Sequence, residues 1–196
     1  MRFVPLLGVL LLIALAFFWR PWLQYKRHGT WGVILFRGGS WGQRLRDATL
    51  VAFTLIVLAQ AVRAVARPEL VSDELWLQAA GSVLLFGGVA LVVIAQLQMG
   101  ASWRIGIDPK AAPGLVTAGI FRFCRNPIYL AMISVTAGYA LLLPTLLSLV
   151  LLAGTIIGMS TQARTEEAYL LETYGDSFRD YARRVGRFLP GIGKLH

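Results

Sequence analysis

The chain has 196 residues, 57% of them hydrophobic and only 15% charged, whereas an ordinary soluble domain carries roughly a quarter charged residues. Lipid as solvent explains that deficit, and the length admits one domain or two small ones. The 19 basic residues exceed the 10 acidic ones by nine. They flank long apolar runs, so anionic lipid headgroups, and not nucleic acid, are the partner that the charge implies. Cys124 is the single cysteine, which excludes an internal disulfide. No histidine, cysteine or carboxylate grouping has the spacing of a metal site.

In chain order, the first apolar run is Phe3 to Trp19. Arg2 before it and Ala14-Leu15-Ala16 within it have the look of a signal peptide. The Phe17-Phe18-Trp19-Arg20 that follows reads instead as an interfacial anchor, which makes the run a retained span. The second runs from Ala48 to Ala66 and the third from Leu75 to Met99. The fourth, Ile128 to Met159, is too long for one crossing of about 20 residues. Gly138 and Pro144 lie near its middle, and proline removes a helical backbone donor. Two helices over 128–142 and 145–160, joined by a tight turn, are therefore expected. The expected fold is all-α: about five transmembrane helices, the last two a hairpin, followed by further helices outside the membrane.

Five spans put loop 19–46, loop 100–127 and the tail 161–196 on one side. These hold sixteen of the nineteen basic residues, leaving Arg2, Arg63 and Arg67 opposite. The positive-inside rule makes the rich side cytoplasmic and the N-terminus external, as in a bacterial inner membrane protein. The division expected is an N-terminal unit, 1–99, and a core, 100–196. Loop 19–46 mixes Trp19, Trp22, Tyr25, Trp31 and Trp41 with six basic residues, including Arg20. It reads as a loop lying along the interface, or as a lid over a lipid substrate's entrance.

Loop 100–127 is rich in glycine and proline yet carries Trp103, Phe121 and Phe123, the signature of an irregular segment that packs. Pro127 suits the first turn of the next helix and Asn126 the cap before it, leaving N–H groups open to a polar ligand. In the tail, Tyr169, Leu170, Tyr174, Phe178 and Tyr181 recur at helical spacing, with a break expected at Gly175. Arg179, Arg183, Arg184 and Arg187 suit contact with the membrane surface.

Leu115-Val116-Thr117-Ala118-Gly119-Ile120-Phe121 and Arg125-Asn126-Pro127-Ile128-Tyr129 resemble the Leu-Val-Thr-Ser-Gly-x-Tyr and Arg-His-Pro-x-Tyr segment of isoprenylcysteine carboxyl methyltransferases. Arg164-Thr165-Glu166-Glu167, with Leu170, Tyr174-Gly175 and Tyr181, is similar to that family's acidic C-terminal signature. The likeness covers roughly residues 100–190, a core shared with phospholipid methyltransferases. It implies an integral membrane enzyme that uses S-adenosyl-L-methionine to methylate a lipophilic carboxylate, amine or thiol at the cytoplasmic face. By position, Pro113, Gly114, Leu115, Val116, Phe121, Asn126, Pro127, Ile128, Tyr129 and Glu166 would contact the cofactor, with Glu167 as a weaker candidate. Gln162 and Arg164 would face the substrate, and no catalytic residue is assigned. Three positions depart from the pattern: Asn126 replaces His, Phe121 replaces Tyr, and Gln162 stands where the carboxyl methyltransferases have an Arg that engages their substrate. The competing readings are an NADPH-dependent enzyme similar to sterol reductases and a non-catalytic membrane scaffold.

Overall fold

The computed structural model describes residues 1–33, 35–36, 41–103 and 114–195, and among these the chain is almost wholly helical. Helix α1 spans Val4–His28 and contains a wide π turn over Ala14–Trp19. It ends on Gly29, whose φ of 71° supplies the left-handed residue that closes a helix. Helix α2 is Trp41–Ala66, α3 is Leu75–Gln98, α4 is Pro127–Leu142, α5 is Leu146–Tyr174 and α6 is Asp176–Arg184. Short 3₁₀ turns lie at Pro68–Leu70, Gly100–Ser102 and Gly119–Arg122.

Helices α1, α2, α3 and α5 are long and apolar enough to cross a membrane. Helix α4 has 16 residues, about 24 Å at 1.5 Å per residue, so it falls short of a 30 Å hydrocarbon core unless its flanks contribute. The break expected at Pro144 is present. Helix α4 ends at Leu142, and Thr145 caps α5 by accepting a hydrogen bond from the Ser148 N–H at 3.2 Å. The break at Gly175 is also present, at φ 53°.

The first boundary differs. The helix expected to stop at Trp19 continues through Arg20–His28, and the next helix already begins at Trp41, so more than half of what read as an interfacial loop is helical. Hydropathy falls at Arg20, but backbone geometry does not follow hydropathy when the polar side chains find partners inside the protein. Arg20 and Gln24 do, and both are buried.

Helices α3 and α4 form the spine. Gly81, Gly88 and Gly138 let the two backbones touch: a Cβ added to Gly138 would lie 2.4 Å from the Leu85 nitrogen and 2.5 Å from the Gly81 carbonyl oxygen. Lipid gives little hydrophobic reason for helices to associate, so close van der Waals approach through small residues does that work. Around the seam, Leu85, Val89, Val92, Ala131, Val135 and Leu142 pack with Leu12 and Ala16 of α1. A second cluster joins α1, α2 and α4 through Val9, Ala61, Ala64 and Tyr139. The third, Phe178, Tyr181, Ala182 and Val185, folds the tail under the end of α5.

Candidate functional site

At the end of the bundle where α5 projects beyond its apolar stretch, the segment 124–126 pairs with 185–187. Cys124 bridges Gly186, the Arg125 N–H donates to the Gly186 carbonyl at 3.0 Å, and the Asn126 N–H donates to the Arg187 carbonyl at 3.1 Å. Two stretches sixty residues apart are thereby stitched together beside the start of α4.

Arg125 locks the stitch. A guanidinium has five N–H groups, and here all five are used. Nε and Nη2 each reach Glu167 at 3.1 Å, Nη1 donates to the carbonyls of Ala182 and Val185 at 2.8 and 2.6 Å, and Nη2 also donates to that of Gly193 at 2.9 Å. Glu167 in turn accepts from Asn126 Nδ2 at 2.8 Å and from Arg187 Nε and Nη2 at 3.0 and 2.9 Å. Burial alone would raise the Glu167 pKa. The bonds from Arg187 and Arg125, the charge of Arg125 and the Asn126 amide outweigh it, and the pKa lies below its ordinary value. A buried carboxylate so surrounded has no capacity left for a ligand.

Glu166 sits differently. Its Oε2 accepts from the Tyr129 hydroxyl at 2.7 Å, Gln162 also bonds Tyr129, and Glu166 itself remains exposed. Surrounding protein pushes its pKa upward, opposed by the Tyr129 bond and aided by the charge of Glu167; its open face moderates that push. No arginine or lysine neutralises it among the described residues.

The other expected residues divide clearly. Asn126 precedes α4 as expected of a cap, but its side chain does not cap. It is committed to Glu167 and to the Arg187 carbonyl. Pro127 has no N–H, and the first-turn N–H groups of Ile128 and Tyr129 have no intrahelical acceptor. Phe121 is buried on the Gly119–Arg122 turn, its carbonyl accepting from the Tyr181 hydroxyl at 2.6 Å. Leu115 packs against the Phe178–Tyr181 cluster, Val116 is half-buried and Gly114 is exposed. Pro113 lies outside the described residues. Arg164 is exposed and, two positions before Glu166, lies on another face of α5. Gln162, one turn before Glu166, is on the same side. Burial pushes the Cys124 thiol up to about 11, which leaves it unreactive.

Arg187 corrects one expectation. It is not free for lipid, because it clasps Glu167, whereas Arg179 and Arg183 make exposed pairs with Asp176 and Asp180. Sequence reading also missed the weight of Arg125 and ranked Glu167 below Glu166 without assigning it a structural task. Adjacent acids on one helix face different directions, and that was the available signal that their tasks differ.

Residues 76–177 match the phospholipid methyltransferase family, more than half of the chain. The chain belongs to that family. The chain is also similar to several curated proteins and to a solved structure. The chain is 28% identical over 128 residues to protein-S-isoprenylcysteine O-methyltransferase of Rattus norvegicus, covering 64% of this chain and 45% of that protein. It is 34% identical over 79 residues to the Schizosaccharomyces pombe protein of the same name, covering 40% and 34%. The nickel-cobalt-cadmium resistance protein NccN of Alcaligenes xylosoxydans xylosoxydans is 26% identical over 121 residues, covering 61% and 54%. The chain spans about half the length of the curated relatives it matches. A solved eukaryotic intramembrane isoprenylcysteine carboxyl methyltransferase superimposes with a TM-score of 0.64 at 18% identity, covering 100% of this chain and 70% of that one. The family member described here therefore has that membrane fold.

Proposed function

We propose that this chain is an S-adenosylmethionine-dependent methyltransferase acting on a lipophilic acceptor whose head lies at the cytoplasmic membrane surface. The observation that carries the proposal is the pairing of Tyr129 with an exposed, un-neutralised Glu166 beside a rigid clasp. The donor set fits the cofactor. The Glu166 carboxylate suits an ammonium or ribose hydroxyls as a charge-assisted acceptor. The open N–H groups of Ile128 and Tyr129 suit a carboxylate at a helix start. Leu115 and Val116, both half-buried, offer apolar surface for a flat ring.

When bound, the cofactor supplies a methyl group on a positively charged sulfur. Tyr129 holds Glu166 in one rotamer, and Gln162 holds Tyr129. Arg125, Glu167 and Arg187 contribute no contact of their own; they keep the start of α4 and the end of α5 at a fixed separation, so that positioning supplies much of the rate. Arg125 and Arg187 are both held by Glu167, so neither is free to receive an acidic acceptor.

Thermal unfolding of the purified protein in detergent, with and without S-adenosylhomocysteine, tests the proposal. At 100 times its Kd the ligand should add about 2.7 kcal/mol to the folded state, and Glu166→Gln should remove most of that gain. Stabilisation by NADPH instead would support the reductase reading, and stabilisation by neither the scaffold.

A further inference from the structure

Arg20 is a buried cation without a counter-ion. It is 3% exposed, inside α1 directly after the π turn. Its Nε donates to the Gln96 carbonyl at 3.2 Å, Nη1 to Gln24 Oε1 at 2.8 Å and Nη2 to the Gly100 carbonyl at 2.8 Å. The guanidinium also lies over the Trp103 ring, 4.5 Å from its centroid. Every one of these acceptors is neutral, and no carboxylate pairs with Arg20 among the described residues. Burying a charge this way is destabilising relative to an apolar side chain, and charged residues inside membrane segments mark function by default.

The placement of the bonds says which function. One turn along α1, Gln24 Nε2 donates to the Ala101 carbonyl at 3.2 Å. Two side chains of α1 thus hold the backbone at the point where the chain leaves α3 and enters the 100–127 loop. The far end of that loop is fastened to the same helix end: Gln98 Oε1 accepts from the Ile120 N–H at 2.6 Å. Gly119, at φ 62°, lies so close to Gln98 that an added Cβ would overlap its side-chain oxygen at 2.2 Å. The π turn just before Arg20 shifts the hydrogen-bond register of α1, and such turns are frequent at functional sites. Pro21, which lacks an N–H, lies just beyond it.

We propose that Arg20, assisted by Gln24, is a positioning residue for the methyl-donor site, acting through the Gln96, Gly100 and Ala101 carbonyls to fix the end of α3, from which Gln98 holds the Gly119–Arg122 turn that carries Phe121. This rests on the function proposed above. Arg20 makes no contact of its own in the site; it acts through the end of α3 and Gln98.

The test compares the full-length wild type in detergent with Arg20→Lys and Gln24→Ala. Three readouts are taken: the unliganded melting temperature, the Kd for S-adenosylhomocysteine by calorimetry, and the hydrogen-exchange rate of residues 100–103 and 119–122. Lysine keeps the charge and loses the fork. The expected result for Arg20→Lys is a Kd raised about tenfold, the equivalent of one charge-assisted contact, together with faster exchange in both stretches. Gln24→Ala should move both readouts the same way by less. A lowered melting temperature with unchanged Kd and unchanged exchange would show that Arg20 merely bolts two helices, and would overturn the proposal. So would no change in any readout. If the wild type itself fails to bind S-adenosylhomocysteine, the proposed function fails, and the exchange rates alone still decide whether Arg20 fixes the end of α3 and the Gly119–Arg122 turn.

Discussion

Between α3 and α4 the chain is held by glycine, alanine, valine and leucine at backbone contact. Between the start of α4 and the end of α5 it is held by two arginines, an asparagine and one glutamate. Neither device would serve in the other's place. Inside lipid, a smooth surface gains dispersion contacts and exposes no polar group. At the membrane surface, where water competes for every apolar contact, a fully satisfied charge network gives one geometry and excludes others. The difference teaches where rigidity comes from here: the spine is rigid because nothing fits between its helices, and the clasp because nothing in it is left unpaired.

Removing the centre of the clasp is the harshest way to break that contrast. Glu167→Ala leaves the buried Arg125 and the half-buried Arg187 without their carboxylate and should cost about 3–5 kcal/mol, as breaking buried ion pairs does. Unfolding in detergent measures it, with local loss of protection in residues 182–193 by hydrogen exchange as the first sign. The spine should yield next. Gly138→Ala drives a methyl group into the backbone of Leu85 and Gly81, an overpacking worth about 1–3 kcal/mol. Its signature is a lowered melting temperature with S-adenosylhomocysteine affinity retained in the folded fraction.

Acid should separate the two devices without mutation. Folding lowers the Glu167 pKa from 4.5, so its contribution is complete above that value and is lost as pH falls through the lowered one. Stability measured below pH 4.5 should decline in the wild type more steeply than in Glu167→Gln, and equal slopes would remove Glu167 from the account. The smallest effect belongs to Arg179→Ala. Its pair with Asp176 is exposed, and such pairs contribute about 0–1 kcal/mol, so a melting shift comparable to that of Glu167→Ala would mean that burial is not what distinguishes them.

The spine was readable because lipid imposes length and apolarity on whatever crosses it, and Pro144 and Gly175 break helices by their own backbone chemistry. The all-α membrane fold follows from those constraints. The glycines of the third span did not say which helix they would meet: Gly88 meets Ala131 and Val135 of the same chain. The clasp was less readable. The spacing from Arg125 to Glu167 to Arg187 has no period, because the fold and not the local helix brings them together, and a basic tail looks the same whether its arginines face lipid or a buried acid. Arg20 was hidden for a related reason: a basic residue at the end of an apolar run is ordinarily an anchor, and only the carbonyls of Gln96 and Gly100 reveal it as internal.

The clasp also has an order in time. Arg125 reaches carbonyls as far along the chain as Gly193, and domains form as their residues emerge during synthesis. The spine can close once α4 has been made, but the guanidinium at its edge then waits, hydrated, for some fifty further residues. The clasp therefore forms after the spine, and a ribosome stalled shortly before Gly193 would leave a bundle whose spine is complete and whose clasp is not.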